Sequence, residues 1–291
     1  MKAKLIKVSA SLLLTLTSLQ LHAKTDDWQY LLDNNLSQWE VWMGIPHSSV
    51  KGLPDNTFTA SNLNQHGTPT NALGLNNDPK NVVSVQQING EPVLSITGEI
   101  YAGLTTLKQY ENYHLSLLVK WGDKKWAPRL KAKKDSGLLF HCQGPHGAFW
   151  KVWKACHELQ IQETDFGDYI PLSGPQADFK GELKNDKMTY QPNGKNLVPA
   201  KGYIHAAYEP DFENGKWNRV ELFTLNDKAV FVVNDYVVMV IENSKDKDDN
   251  PLTQGQLQLQ SEGAEVYYKD IKLRPINQWP EDIKRLANFA N

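Results

Sequence analysis

Asp135-Ser136-Gly137-Leu138-Leu139-Phe140-His141-Cys142 and His157-Glu158-Leu159-Gln160-Ile161-Gln162 decide how this chain is read. In the second stretch Leu159 and Ile161 alternate with Glu158, Gln160 and Gln162. A β-strand turns successive side chains to opposite faces, so the apolar pair lines one face of a sheet and the three polar groups line the other. A row of carboxylate and amide groups on a sheet face suits a polar ligand. The run continues into Glu163-Thr164-Asp165-Phe166-Gly167-Asp168, an acidic turn.

Working outward, the same short alternating pattern recurs while helical periodicity is scarce. Strands are expected at Val93–Thr97, His114–Trp121, Gly137–Cys142, Glu158–Gln162, Trp217–Thr224, Ala229–Val233, Val237–Glu242, Gly255–Gln260 and Glu265–Arg274. Asn226-Asp227, Asn234-Asp235 and Glu262-Gly263 are turn signals between consecutive runs, so the C-terminal half reads as an antiparallel meander. The fold class is all-β, a sandwich or jelly roll of two antiparallel sheets. Gly44 to Pro79 and Asp165 to Tyr208, rich in Asn, Gly and Pro, read as long loops of the functional kind. Ile283, Leu286 and Ala287 suggest a short helix within Pro280 to Asn291, and Trp121 and Trp217 read as core.

Met1 to Ala23 reads as a secretory signal: Lys2, Lys4 and Lys7, then an apolar run from Val8 to Leu21, then Leu21-His22-Ala23 as cleavage site. Residues 24–291 are expected to form a single domain, secreted or periplasmic. Removing the three lysines takes the formal charge from −2 to −5, which argues against nucleic acid or an anionic membrane as partner. The two cysteines, Cys142 and Cys156, flank a hairpin loop; in an oxidising compartment they could pair, and otherwise they are small buried thiols.

Several separated motifs resemble the 3-keto-disaccharide hydrolase family. They are Tyr101-Ala102-Gly103-Leu104-Thr105-Thr106, Tyr110-Glu111-Asn112-Tyr113-His114-Leu115, Lys120-Trp121-Gly122-Asp123 through Trp126-Ala127-Pro128-Arg129, and Asp135-Ser136-Gly137-Leu138. Further along come Glu158-Leu159-Gln160-Ile161-Gln162-Glu163, Trp217-Asn218, Asn234-Asp235 where the family usually has Asn-Gly, and Val266-Tyr267-Tyr268-Lys269-Asp270-Ile271. Singly each is weak; as an ordered set from Trp39 to Pro275 they are specific. The resemblance implies a concanavalin-like jelly roll and an exported hydrolase acting on 3-keto-glycosides. Such an enzyme needs another protein, a sugar 3-dehydrogenase, to install the ketone, since no nicotinamide-binding fingerprint is present here.

A ketone at C3 acidifies the hydrogen at C2, so the chemistry asks for a base, an acid for the leaving oxygen and a group to polarise the ketone. Glu158 is the leading base or acid, because it stands mid-strand opposite the core face and matches the family's Glu-x-Gln. Gln160 and Gln162 would bind sugar hydroxyls. His141 is a second catalytic candidate, with His157 and His146 behind it. Arg129 and Lys134, just before the Ser-Gly strand, could polarise a ketone, and Trp150 and Trp153 could stack on a pyranose or cap the core. Glu163, Asp165 and Asp168 could hold a hard cation such as Ca²⁺, and a His/carboxylate pair would permit a transition metal, so a divalent metal stays open as cofactor. Two other readings stand beside the enzyme: a carbohydrate-binding module of the same fold, and a conventional glycoside hydrolase with paired carboxylates.

Overall fold

Each alternating run has one face that must leave water, and two sheets pressed face to face satisfy all of them at once. The computed structural model describes residues 27–63, 68–184 and 187–289, so the proposed secretory signal lies outside the described residues. Strands are numbered in chain order. The large sheet carries, edge to edge, β13 (Lys187–Tyr190), β12 (Gln176–Lys184), β17 (Tyr236–Lys245), β16 (Lys228–Val233), β15 (Asn218–Leu225), β8 (Tyr113–Lys125), β19 (Ala264–Pro275), β5 (Glu91–Ile96) and β4 (Val83–Ile88). β1 (Gln29–Tyr30) joins beside β19, and β14 (Leu197–Pro199) beside β12.

The small sheet runs β11 (Tyr169–Leu172), β10 (Ala155–Gln162), β9 (Asp135–Gln143), β18 (Gln254–Ser261), β6 (Ala102–Thr106), β2 (Trp39–Met43) and β3 (Gly74–Leu75), with β7 (Tyr110–Glu111) against β18. The strand pairs are antiparallel, as in a concanavalin-like jelly roll. Leu138 and Phe140 of β9, Leu159 and Ile161 of β10, and Leu257 and Leu259 of β18 meet Leu115, Leu117, Val119, Val220 and Leu222 of the large sheet in one apolar core. The outer face of the small sheet carries the polar residues of these strands, beside a second apolar cluster that includes Leu139, Cys142, Cys156 and Trp153.

Three expectations need correction. Asp165 to Tyr208 is not a long loop: it contains β11, β12, β13 and β14, whose Tyr169, Phe179 and Tyr190 are buried. Polar turn residues diluted the alternation there. Glu262-Gly263 does not close a hairpin within one sheet; it carries the chain from β18 in the small sheet to β19 in the large one. Trp121 is core, but Trp217 is half-buried on the outer face of the large sheet, where the ammonium groups of Lys120 and Lys269 lie 5.0 and 5.2 Å from its ring. A bulky ring beside basic neighbours is stable there without entering the core. The expected C-terminal helix is present as α1 (Glu281–Ala287), which buries Ile283 and Ala287 and leaves Leu286 exposed. No helix among the described residues is long and apolar enough to cross a membrane.

Candidate active site

Register fixes which side chains meet on the outer face of the small sheet. Glu158 of β10 pairs with Leu139 of β9, Gln160 with Gly137, and Gln162 with Asp135. Across the next strand Leu139 pairs with Gln258, and Asp135 bridges Glu262. Further on, Gln260 pairs with Gly103 and Gln258 with Thr105. The face thus carries transverse rows of carboxylates and amides, and its middle row holds two glycines.

Those glycines make a floor. A β-carbon on Gly137 would collide with Glu158 Oε1 and lie 2.6 Å from Gln260 Oε1. A β-carbon on Gly103 would lie 2.5 Å from Gln258 Nε2. Long polar side chains from neighbouring strands therefore lie flat over bare backbone. The result is a dense polar layer: Glu158, Gln160, Gln258, Gln260, Asp135 and Glu262 are all at most 5% exposed.

Three of these groups are carboxyls, and one guanidinium binds two of them. Arg129 donates from Nη1 to Glu262 Oε1 at 3.0 Å and from Nη2 to Asp135 Oδ2. Gln162 Nε2 also donates to Asp135 Oδ2, at 2.6 Å. Asp135 Oδ1 and Gln260 Oε1 are buried without a hydrogen-bond partner among the described residues. Burial raises the Glu158 pKa well above the carboxylate range, Asp135 adds to the effect and a hydrogen bond with Gln260 opposes it. Glu262 is raised by burial and by Asp135, against Arg129. Burial also lifts Asp135, to about 7, although Arg129 and Gln162 pull it down. Three carboxylates against one cation cannot all stay ionised away from water, so the cluster retains protons at neutral pH.

The structure brings Glu158, Gln160 and Gln162 to this face together with Arg129; Gln160 turns Oε1 toward the Ile161 N–H at 3.1 Å. Arg129 is committed to two carboxylates, which leaves it poorly placed to polarise a ketone. Lys134 is turned away, its ammonium bound to the Gly122 carbonyl at 2.6 Å. His141 is not on this face. It sits where the register of β9 shifts against both neighbours, with φ +48°, and its ring lies in the interior against Tyr113, Phe140 and His157. One extra residue in the strand, a β-bulge, re-aimed the side chain that simple alternation placed outside. His157 likewise points inward, bonded to the Tyr169 hydroxyl at 2.8 Å and to the Ser244 hydroxyl at 2.7 Å.

Cys142 and Cys156 face each other across the β9–β10 pair and form a disulfide. It closes the loop of residues 144–154, which folds back over the outer face. Trp153 is buried there, donating from Nε1 to the Ala102 carbonyl at 3.1 Å and stacking on Tyr101, so it caps the layer and offers no free ring. Trp150 stays half-buried and stacks on Phe149.

The acidic turn after β10 is organised differently from the expected metal set. Atoms of Asp165, Asp168 and His205 lie within 4.8 Å of one another, while Glu163 instead accepts from Asn214. Asp168 accepts from the Ala206 N–H at 2.6 Å and pairs with His205 Nδ1 at 3.1 Å, and Asp165 pairs with Lys133. Protein donors thus engage both oxygens of Asp168 and one of Asp165. Sequence reading missed Asp135, Glu262, Gln260 and His205. Glycine two residues from an acid or an aromatic in an alternating strand, as in Asp135-Ser-Gly137 and Tyr101-Ala-Gly103, is the signal that would have found the floor.

Among solved structures, a "putative glycosyl hydrolase" from Parabacteroides distasonis ATCC 8503 is 14% identical, covering 87% of this chain and 96% of that chain with a TM-score of 0.47. Another of the same description and organism is 16% identical over 86% of this chain and 99% of that chain, with a TM-score of 0.43. The carbohydrate binding module CBM66 from Bacillus subtilis is 9% identical over 66% and 91%, with a TM-score of 0.41. No curated protein matches the sequence significantly. The family model of the 3-keto-alpha-glucoside-1,2-lyase-like domain matches residues 27–274, so the chain belongs to that family.

Proposed function

We propose that this protein is an exported enzyme that cleaves the glycosidic bond of 3-keto-glycosides by elimination followed by hydration. A carboxylate takes the C2 proton, the C1–O bond breaks with formation of a C1=C2 double bond, and a protonated carboxyl of the same cluster gives its proton to the departing oxygen. Water then adds across the double bond to give the free 3-keto sugar. The observation that carries this reading is the buried carboxyl cluster of Glu158, Asp135 and Glu262 over the Gly137 floor. A desolvated carboxyl holds a proton near neutrality and, once ionised, is a stronger base than a solvated one. Glu158 is the acid/base group, since Arg129 is bound to the other two.

That commitment of Arg129 also favours elimination over conventional glycoside hydrolysis, which needs two independent carboxylates facing each other across the scissile bond. The ketone would be installed beforehand by a separate sugar 3-dehydrogenase. The test is release of aglycone from a 3-keto-glucoside and from its unoxidised parent by wild type, Glu158→Gln and chelator-treated protein. Turnover of the keto substrate alone, lost in Glu158→Gln, is expected. Turnover of the parent sugar would replace elimination with ordinary hydrolysis, and binding without turnover of either would leave a carbohydrate-binding module.

A further inference from the structure

Directly behind the Gly137 floor, polar groups cross the interior of the sandwich. Alternation turns Ser136, between Asp135 and Gly137, to the core side of β9, where it is buried. Tyr268 of β19 points inward from the opposite sheet and is buried as well. Ser136 Oγ donates to the Gln260 carbonyl at 2.7 Å and lies 2.7 Å from the Tyr268 hydroxyl. A serine hydroxyl has one hydrogen, so with that hydrogen on the carbonyl the tyrosine is the donor of the second bond. Burial raises the Tyr268 pKa, the Ser136 bond opposes this, and the charges of Asp135 and Glu158 add to it, so the phenol keeps its proton. The chain therefore runs from Tyr268 O–H to Ser136 Oγ, and from Ser136 O–H to the Gln260 carbonyl, joining the large sheet to the small one.

Its place in the ladder is specific. β9 and β18 pair as far as Leu138–Leu259, and the next pairing among the described residues is the isolated Asp135–Glu262 bridge. In the interval between them the Ser136 hydroxyl reaches the Gln260 carbonyl. The same interval carries the site: Gly137 is the floor, Gln260 lies beside Glu158 over it, and Asp135 and Glu262 flank it on Arg129. Gln260 Oε1 and Asp135 Oδ1 are buried without a hydrogen-bond partner among the described residues. The backbone beneath them therefore decides much of where these two side chains lie. Apolar contact is non-directional and leaves strand spacing loosely set, whereas a hydrogen-bond chain fixes both distance and direction.

We propose that Ser136 and Tyr268 are positioning residues for the carboxyl cluster: their hydroxyl chain sets the spacing of β9 against β18 and thereby the placement of Gln260 and Asp135 around Glu158. The expected effect on turnover rests on the elimination reading; the effect on the carboxyls does not.

The test compares wild type, Ser136→Ala and Tyr268→Phe, the last of which removes only an oxygen. Carboxyl-carbon NMR follows the titration of Asp135, Glu158 and Glu262. In parallel, kcat and KM are measured against pH on a 3-keto-glucoside, with the melting temperature of each variant as a check of folding. Burial is the largest cause of the raised carboxyl values, and a loosened cluster admits water. The midpoints should therefore fall by about one unit in Ser136→Ala and by less in Tyr268→Phe. In Ser136→Ala kcat should drop about tenfold or more with KM little changed, and the pH profile of kcat should move with the midpoints. Folded variants that keep the wild-type midpoints and pH profile overturn the proposal and leave the pair a purely structural tether. Should Ser136→Ala fail to fold, Tyr268→Phe decides alone. Absence of turnover by wild type on any 3-keto-glucoside sinks the elimination reading, and the NMR titration still decides the role of the tether.

Discussion

Glu158 occupies the space that a side chain at position 137 would fill, its Oε1 resting over the bare Gly137 backbone beside Gln260. On the proposed acid/base role of Glu158, the glycine is part of that apparatus although it contributes no functional group. Gly137→Ala should displace both Glu158 and Gln260. Overpacking of this kind costs about 1–3 kcal/mol, and a misplaced acid/base group costs on the order of 10²-fold in rate. Kinetics on a 3-keto-glucoside alongside denaturant unfolding would separate the two effects. Wild-type kcat in a folded Gly137→Ala protein would refute this role.

The buried carboxyl of Glu158 makes stability depend on pH in a stated direction. Its folded pKa lies above the unfolded value near 4.5, so across that interval the native state binds a proton the unfolded state has lost. Stability then falls as pH rises, by about 1.4 kcal/mol per unit for one such group. Glu158→Gln, a permanent neutral isostere, should flatten that slope and be more stable than wild type at pH 8 while matching it near pH 4. Urea unfolding at the two pH values reads this directly.

Two buried histidines act on the acid side. Burial depresses His141 to about 4 and His157 to about 3, the latter helped by the charge of His141. The Leu252 backbone stands near the His141 ring, and among the described residues neither ring nitrogen has a hydrogen-bond partner. Their folded pKa values lie below the unfolded value, so their contribution is complete above about pH 6.5 and is lost as pH falls toward 4. His141 alone accounts for about 3 kcal/mol over that range. His141→Asn, which tolerates the left-handed backbone, should give a shallower loss of stability between pH 6.5 and 4 than wild type. An identical slope would show that His141 does not drive the acid transition.

The Cys142–Cys156 bond, with 14 residues of sequence separation, ties down the loop that carries Trp153 and Lys154. Closing a loop of this length contributes about 3 kcal/mol. Melting with and without reductant, and of the Cys142→Ala/Cys156→Ala double variant, should show that loss.

Much of this was legible in the sequence because it depends on a period of two. Leu159 and Ile161 went to the core and Glu158, Gln160 and Gln162 to the opposite face as alternation requires, and β15 to β17 followed their Asn-Asp turns. What escaped depends on departures from that period or on partners distant in sequence. His141 was misplaced by a single bulged residue. Arg129 and Lys134 were assigned to substrate because their partners, Glu262 and Gly122, come from other strands of the fold. The Glu40–His146 pair spans 106 residues, and no local pattern announces it.

Burial of the Glu158 cluster has a further consequence for the fate of hydrogen during turnover. A proton received from carbon by a carboxyl at most 5% exposed has little contact with bulk water. On the proposed elimination route, with a second carboxyl of the cluster protonating the departing oxygen, it stays on Glu158 until hydration of the double bond needs it again at C2. A substrate deuterated at C2 should therefore return much of its label to the same carbon, and the cluster becomes a place where isotopic memory of the substrate outlives the bond that was broken.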